Sequence, residues 1–289
     1  MEREFAIVCD SAADLPKEYF IENNVEYVPL GFTMNSVNYL GEDGKSISAE
    51  EFYAALRGGA MPTTYQVTSE QAKTHIEKYL KKGLDVLVLT FSSALSGTAG
   101  SFFVAARELK EKYPERKVLV VDSLCASLGE GLLLDYVVKR ADKGCSIDEA
   151  YEYAETLKGR ICHNFTVDNL FHLKRGGRVS SMTAVIGSIL KIKPIMQVSN
   201  DGKLIVVGKE LGRRKSLSQI FENMQKKIDE KDDGPIIVGH ADSKADAEKT
   251  KGWICEKYPN REVWIEQIGA VIGSHSGAGT IALFFKGTR

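Results

Sequence analysis

Short apolar runs alternate along the chain with longer stretches in which apolar residues recur every three to four positions, the pattern of strands joined by crossover helices. It predicts an α/β fold. In the first half the strand candidates are residues 5–9, 25–32, 86–91 and 118–121. The first, third and fourth are apolar almost throughout, as strands buried on both faces are, and should pair in parallel. Between the last two, Phe102, Phe103, Ala106, Leu109 and Tyr113 fall on one helical stripe, with Arg107, Glu108, Lys110 and Glu111 opposite, which predicts a covering helix.

Residues 38–46 (NYLGEDGKS) carry the Asp-Gly chemistry of a tight hairpin. Ser48 and Glu51 then make a Ser-x-x-Glu capping box for a helix over 48–56. Together they read as an insertion beside the main sheet, and a further helix is predicted near 69–81. After about residue 159 the character changes. Residues 163–170 form a predicted strand, 174–179 (KRGGRV) a basic, glycine-broken turn, and 194–211 two strands around Asn200-Asp201-Gly202. Leu217, Ile220, Phe221, Met224 and Ile228 mark an amphipathic helix, followed by strand 236–239, helix 245–257, strand 263–268 and a final apolar run at 281–285. The pattern therefore divides the chain near residue 160. An N-terminal α/β lobe over 1–160 has a mainly parallel sheet flanked by helices, and a C-terminal α/β lobe over 161–289 has a mixed sheet and helices. There is no internal repeat and no low-complexity segment.

Composition narrows the class. The chain has 289 residues, 43% hydrophobic and 27% charged, in the ordinary globular range. Its 38 basic and 39 acidic residues leave a formal net charge of −1, so no overall field favours nucleic acid or an anionic membrane. No window approaches the run needed to span a bilayer. The N-terminus has only a short apolar run, unlike a signal peptide. The five cysteines are widely spaced, with no Cys-x-x-Cys pair for zinc or redox work. A cytoplasmic protein with free thiols, no metal and no resident cofactor is the expectation.

Hydroxyl-rich loops carry the candidate chemistry. Residues 90–101 (TFSSALSGTAGS) follow a buried strand and open a helix, so Ser96, Gly97 and Thr98 lie where free N–H groups and the positive end of the helix dipole converge. An anion such as a carboxylate or phosphate fits there; the alternative is simple helix capping. A second cluster, 62–69 (PTTYQVTS), brings Thr63, Thr64, Gln66, Thr68 and Ser69 ahead of a helix, as ligand contacts or as a capping loop. A third, 269–280 (GAVIGSHSGAGT), places His275 in a glycine-rich loop from which its ring can face a cleft. Asp10-Ser11 and Asp122-Ser123 end two strands at the sheet edge where α/β proteins build sites, unless the aspartates are N-caps. Arg175 and Arg178, with Arg213, Arg214 and Lys215, form the compact basic patches, either solvated turns or a surface for an acidic partner. There is no Gly-x-Ser-x-Gly elbow, Walker loop, His-Glu-x-x-His or Gly-x-Gly-x-x-Gly after a strand. These absences disfavour a self-contained hydrolase, nucleotidase, metalloprotease or dehydrogenase.

In order along the chain, VCDSAADLP at 8–16, PTTYQVTS at 62–69, SSALSGTAGS at 92–101, VDSLCASLGEG at 121–131, LKRGGRVSS at 173–181, IGSILKIKPI at 186–195 and HSGAGT at 275–280 resemble the DegV family of bacterial lipid-binding proteins. The resemblance implies two α/β lobes with a long-chain fatty acid such as hexadecanoate between them. It places the carboxylate at Ser96 and at Thr64, with or without Thr63, and puts His275 near the head. It also implies a carrier rather than an enzyme, which presents the acid to a separate fatty acid kinase. Tyr65 and Val67 replace the serine and proline usual in the second motif, leaving the choice between Thr63 and Thr64 open, and Ala278 stands where proline is usual. Two other readings compete: a small-molecule kinase-like enzyme acting on a phosphorylated or keto substrate, which would need a nucleotide site, and a regulatory interaction protein using the basic turns.

Overall fold

The computed structural model describes residues 3–179 and 191–289. Residues 180–190, which include the end of the LKRGGRVSS motif and the start of IGSILKIKPI, lie outside the described residues.

The N-terminal half is built on four parallel strands in the order β2-β1-β6-β7. These are β1 (Phe5–Asp10), β2 (Val25–Val28), β6 (Asp85–Thr90) and β7 (Val118–Asp122). Side chains alternate across a strand, and β1 uses both faces. Ala6 and Val8 face helices α3 (Ser69–Leu80) and α4 (Thr98–Lys112), while Phe5, Ile7 and Cys9 face α5 (Leu128–Ala141) and α6 (Ile147–Lys158). Helix α1 (Lys17–Glu22) sits beside β2. The predicted strand over 25–32 is two strands. Pro29 and Leu30 turn the chain out of the parallel sheet, and β3 (Gly31–Met34) enters a separate antiparallel sheet with β4 (Val37–Leu40) and β5 (Thr63–Tyr65), in the order β4-β3-β5.

The hairpin turn of that small sheet is Asn35-Ser36, both at positive φ (50° and 61°), and not the Asp-Gly pair at 43–44. Residues 38–40 belong to β4, and the Asp-Gly turn only folds Lys45 back onto it. The capping box is present: Ser48 accepts from the Glu51 N–H at the start of α2 (Ala49–Arg57), and Glu51 accepts in return from the Ser48 N–H. In α4 the buried stripe is Ala99, Phe102, Ala105 and Leu109; Phe102 and Leu109 are where the pattern predicts, whereas Phe103 is exposed.

The C-terminal half is a six-stranded mixed sheet in the order β10-β9-β8-β13-β11-β12. Its strands are β8 (Ile161–Thr166), β9 (Ile192–Val198), β10 (Leu204–Leu211), β11 (Ile236–His240), β12 (Val263–Gln267) and β13 (Ile281–Lys286). Only β11 and β12 pair in parallel. β8 stops at Thr166 rather than running to 170, and the basic turn is preceded by a short helix, α7 (Phe171–Arg175). Helices α8 (Arg213–Gln225) and α9 (Lys244–Lys257) cover one face, with Leu217, Ile220, Met224 and Ile254 buried against β11 and β13.

Helix α5 covers the other face and binds the halves together. It packs on β6 of the first sheet and on β8, β11 and β13 of the second. Nearly all its residues are buried, including Glu130 and Asp135. A helix enclosed on all sides has no polar stripe, so the Leu132-Leu133-Leu134 run gives no amphipathic signal. The last helix, α10 (Ala270–Ser276), packs on α2, α7 and β5. His275 is therefore on a helix and not in a loop.

Candidate functional site

The carboxyl ends of β1 and β6 and the loop beyond β7 point at the C-terminal sheet across a cavity of about 170 Å³. Open α/β sheets place sites at this edge because the strand-to-helix turns leave polar groups there. Ala12, Leu30, Phe91, Leu95, Ala126 and Ser127 come from the N-terminal half. His163, Phe165, Leu173, Val198, Leu204, Ala282 and Phe284 form the opposite wall, and Ile268, Val271 and Ile272 close one side. Most of the lining is apolar. Polar groups gather at one end, where Thr64, Gln66, Ser96, Arg178, His275 and Ser276 meet.

Each of these is positioned by its element. Thr64 lies on β5 opposite Phe32, so it turns inward while its neighbours Thr63 and Tyr65 are exposed. Its Oγ1 is 2.8 Å from His275 Nε2 on α10, and either group can donate, depending on the histidine tautomer. Ser96 precedes α4, where its Oγ accepts from the Thr98 N–H at 3.2 Å and lies 3.0 Å from Thr98 Oγ1. The capping reading thus describes part of what Ser96 does, yet the residue also lines the cavity. At Gly97 a Cβ would stand 2.2 Å from Gln66 Oε1, so a larger residue there would push the exposed Gln66 side chain aside. Thr63, Gly97 and Thr98, grouped with the site by sequence, do not line the cavity.

Two arginines of the KRGGR turn brace this end, the exposed Arg175 and the half-buried Arg178. Arg175 Nη2 donates to the carbonyls of Pro62 (2.8 Å) and Ser274 (3.3 Å), tying the strand that carries Thr64 to the helix that carries His275. Arg178 Nε donates to Leu95 O at 3.1 Å, beside Ser96, and Arg178 lines the cavity. Both guanidinium groups are thus engaged within the chain. Arg213 pairs with Asp246 at 2.7 Å and lies 3.9 Å from Asp168, while Arg214 is exposed. Asp10 and Asp122 are loop builders. Asp10 accepts from the Ala12 and Phe91 N–H groups (2.9 and 2.8 Å), and Asp122 from Ser93 and Leu124 (both 3.1 Å). At the apolar end His163 is saturated, with Nε2 taking the Ala126 N–H and Nδ1 facing Ile161 O, both at 3.1 Å.

Burial and, next, the nearby Arg178 and Arg175 charges hold His275 down at about 4, from an ordinary 6.5, so near neutral pH it is an uncharged hydrogen-bonding partner. Between those values an unfolded chain takes up a proton that the folded one declines. This part of the stability is present above pH 6.5 and is lost as pH falls through 4. Burial pushes Asp10 up to about 6 and Asp14 to about 7, giving the opposite trend: their contribution is lost as pH rises through those values. Burial also holds His163, His172 and His240 below the ordinary value, so His275→Gln, which leaves these and both carboxyls in place, is expected to reduce the acid-side loss by the His275 share alone. Denaturant unfolding of parent and variant from pH 7 to 4 checks this, and identical slopes would contradict it.

Sequence reasoning identified the hydroxyls and the histidine because such clusters are unusual. It missed Ser276 as a wall residue and the apolar wall of Phe165, Ala282 and Phe284, whose residues carry no signal separating a cavity lining from ordinary core. Among the described residues no helix is long and apolar enough to cross a membrane.

The family profile that matches this chain is described as uncharacterised proteins of the DegV family, and the match covers residues 4–287. A DegV domain-containing protein of Clostridium perfringens is 44% identical over 285 residues, covering 99% of this chain and 98% of the relative. Among solved structures, a fatty-acid-binding DegV family protein from Thermus thermophilus superposes with a TM-score of 0.86 at 28% identity, covering 99% of this chain and all of that one. A stearic-acid-binding protein from Eubacterium ventriosum gives a TM-score of 0.87 at 26% identity, covering 97% of each chain. With the two-lobed fold, the cavity that carries Thr64, Ser96 and His275 and a match over residues 4–287, this chain belongs to the DegV family.

Proposed function

We propose that this protein binds one long-chain fatty acid in the cavity, with its carboxylate at Thr64, Ser96 and His275 and its tail toward Phe165 and Phe284. The carrying observation is that one mostly apolar cavity, with residues of both lobes on its wall, also carries Thr64, Ser96 and His275. Fatty-acid binding by the relatives from Thermus thermophilus and Eubacterium ventriosum supports it. A sixteen-carbon tail supplies on the order of 10 kcal/mol at about 0.8 kcal/mol per methylene, before ordering costs. A hydrogen bond to a charged head adds only about 1.5–3 kcal/mol. The tail therefore sets affinity and the head sets orientation, with Arg178 supplying positive charge on the wall.

The polar end lies toward the surface, where Gln66 and Gly97 are exposed, whereas Phe165 and Phe284 are buried. A head held there is within reach of a second protein. This supports a carrier that presents the acid to a separate fatty acid kinase for acyl phosphate formation and performs no chemistry itself. The five free cysteines fit a reducing compartment, the cytoplasm.

Calorimetric titration of delipidated protein with hexadecanoate should show one site; no binding would overturn the proposal. Ser96→Ala should weaken binding about ten- to a hundredfold, the worth of one hydrogen bond to a charged head, and reduce acyl phosphate formation with a kinase more than that. A variant that binds and delivers like the parent would remove Ser96 from the site.

A further inference from the structure

Of the five serine and threonine hydroxyls among the described residues of the cavity wall, four have partners. Thr64 is bonded to His275, Ser96 to Thr98 and Ser127 to Asp14, and Thr280 donates to the Ser276 and Gly277 carbonyls. Ser276 differs. It is 7% exposed, and its Oγ has no hydrogen-bond partner among the described residues. A buried hydroxyl left unpaired is destabilising unless something satisfies it. A plain hydrocarbon tail does not.

Place determines what could. Ser276 is the last residue of α10, next to His275, and with the acid head at Thr64 and His275 it stands beside the first carbons of the chain. We propose that Ser276 binds a second oxygen of the ligand, and that the preferred ligand class is a long-chain acid bearing a hydroxyl within a few carbons of the carboxylate. This rests on the fatty-acid reading above. Ser276 also borders an outer polar cleft with Arg57, Asp168 and His172; a hydroxyl serving only that cleft would leave ligand choice untouched.

The test titrates delipidated protein with hexadecanoic, 2-hydroxyhexadecanoic and 3-hydroxyhexadecanoic acids. At least one hydroxy acid should bind about five- to tenfold more tightly than the plain acid. Ser276→Ala should bring that ratio to about one, and Ser276→Thr, which keeps a hydroxyl, should preserve it. No preference in the parent, which needs no variant to fold, or an unchanged ratio in Ser276→Ala, overturns the inference and leaves the carrier reading standing. If none of the three acids binds, both fall together.

Discussion

Replacing Ala282 with tryptophan is expected to abolish long-chain fatty-acid binding while the protein stays folded. Ala282 lies on β13 between Phe165 of β8 and Gly239 of β11, is 4% exposed, and lines the cavity. An indole in a filled core forces neighbours off their rotamers, but here it can extend into space already open. It then occupies the room of the tail. Excluding about six methylenes at about 0.8 kcal/mol each removes about 5 kcal/mol of binding, between a thousandfold and ten-thousandfold in affinity. Displacement of a fluorescent fatty acid, with circular dichroism to confirm the fold, measures it. Affinity within tenfold of the parent would place the tail elsewhere.

Asp232→Ala is expected to cause the largest loss of stability of any single charge removal near the joint between the halves. The Asp232 side chain is 2% exposed and pairs with Arg261 at 3.0 Å and Lys286 at 2.8 Å. It also accepts from the Tyr136 hydroxyl of α5 at 2.5 Å. Removing the carboxylate leaves two partly buried cations and a buried phenol without their acceptor. Breaking a buried pair in this way costs about 3–5 kcal/mol, because the surviving charge is uncompensated. Urea unfolding reads this as a shift in midpoint at constant slope. A loss under about 1 kcal/mol would mean that solvent reaches the cluster.

What could be read from the sequence followed from how one-sided each element's surroundings are. β1 and β6 show as apolar runs because both faces are covered, and α8 shows as a stripe because one face is wet. Helix α5 gives no stripe because both sheets enclose it. Helix α10 reads as a loop because it carries Gly273 in its middle; that glycine is required where a Cβ would stand 2.5 Å from the Tyr53 hydroxyl. This constraint comes from a residue 220 positions away, so no local pattern contains it. The same holds for the site. Thr64, Ser96 and His275 stand out as clustered hydroxyls and a histidine, but Thr64 is separated from Thr63 only by the β5 register against β3. The bracing role of Arg175 depends on the carbonyls of Pro62 and Ser274, which tertiary packing brings to it.

The most direct test of the central claim is a crystal structure of the protein with hexadecanoate. The account predicts the carboxylate within hydrogen-bond reach of Thr64, Ser96 or His275, and the chain running between the lobes past Leu95 toward Phe165 and Phe284. An acid bound head-inward beside His163, or outside the cavity altogether, would contradict it.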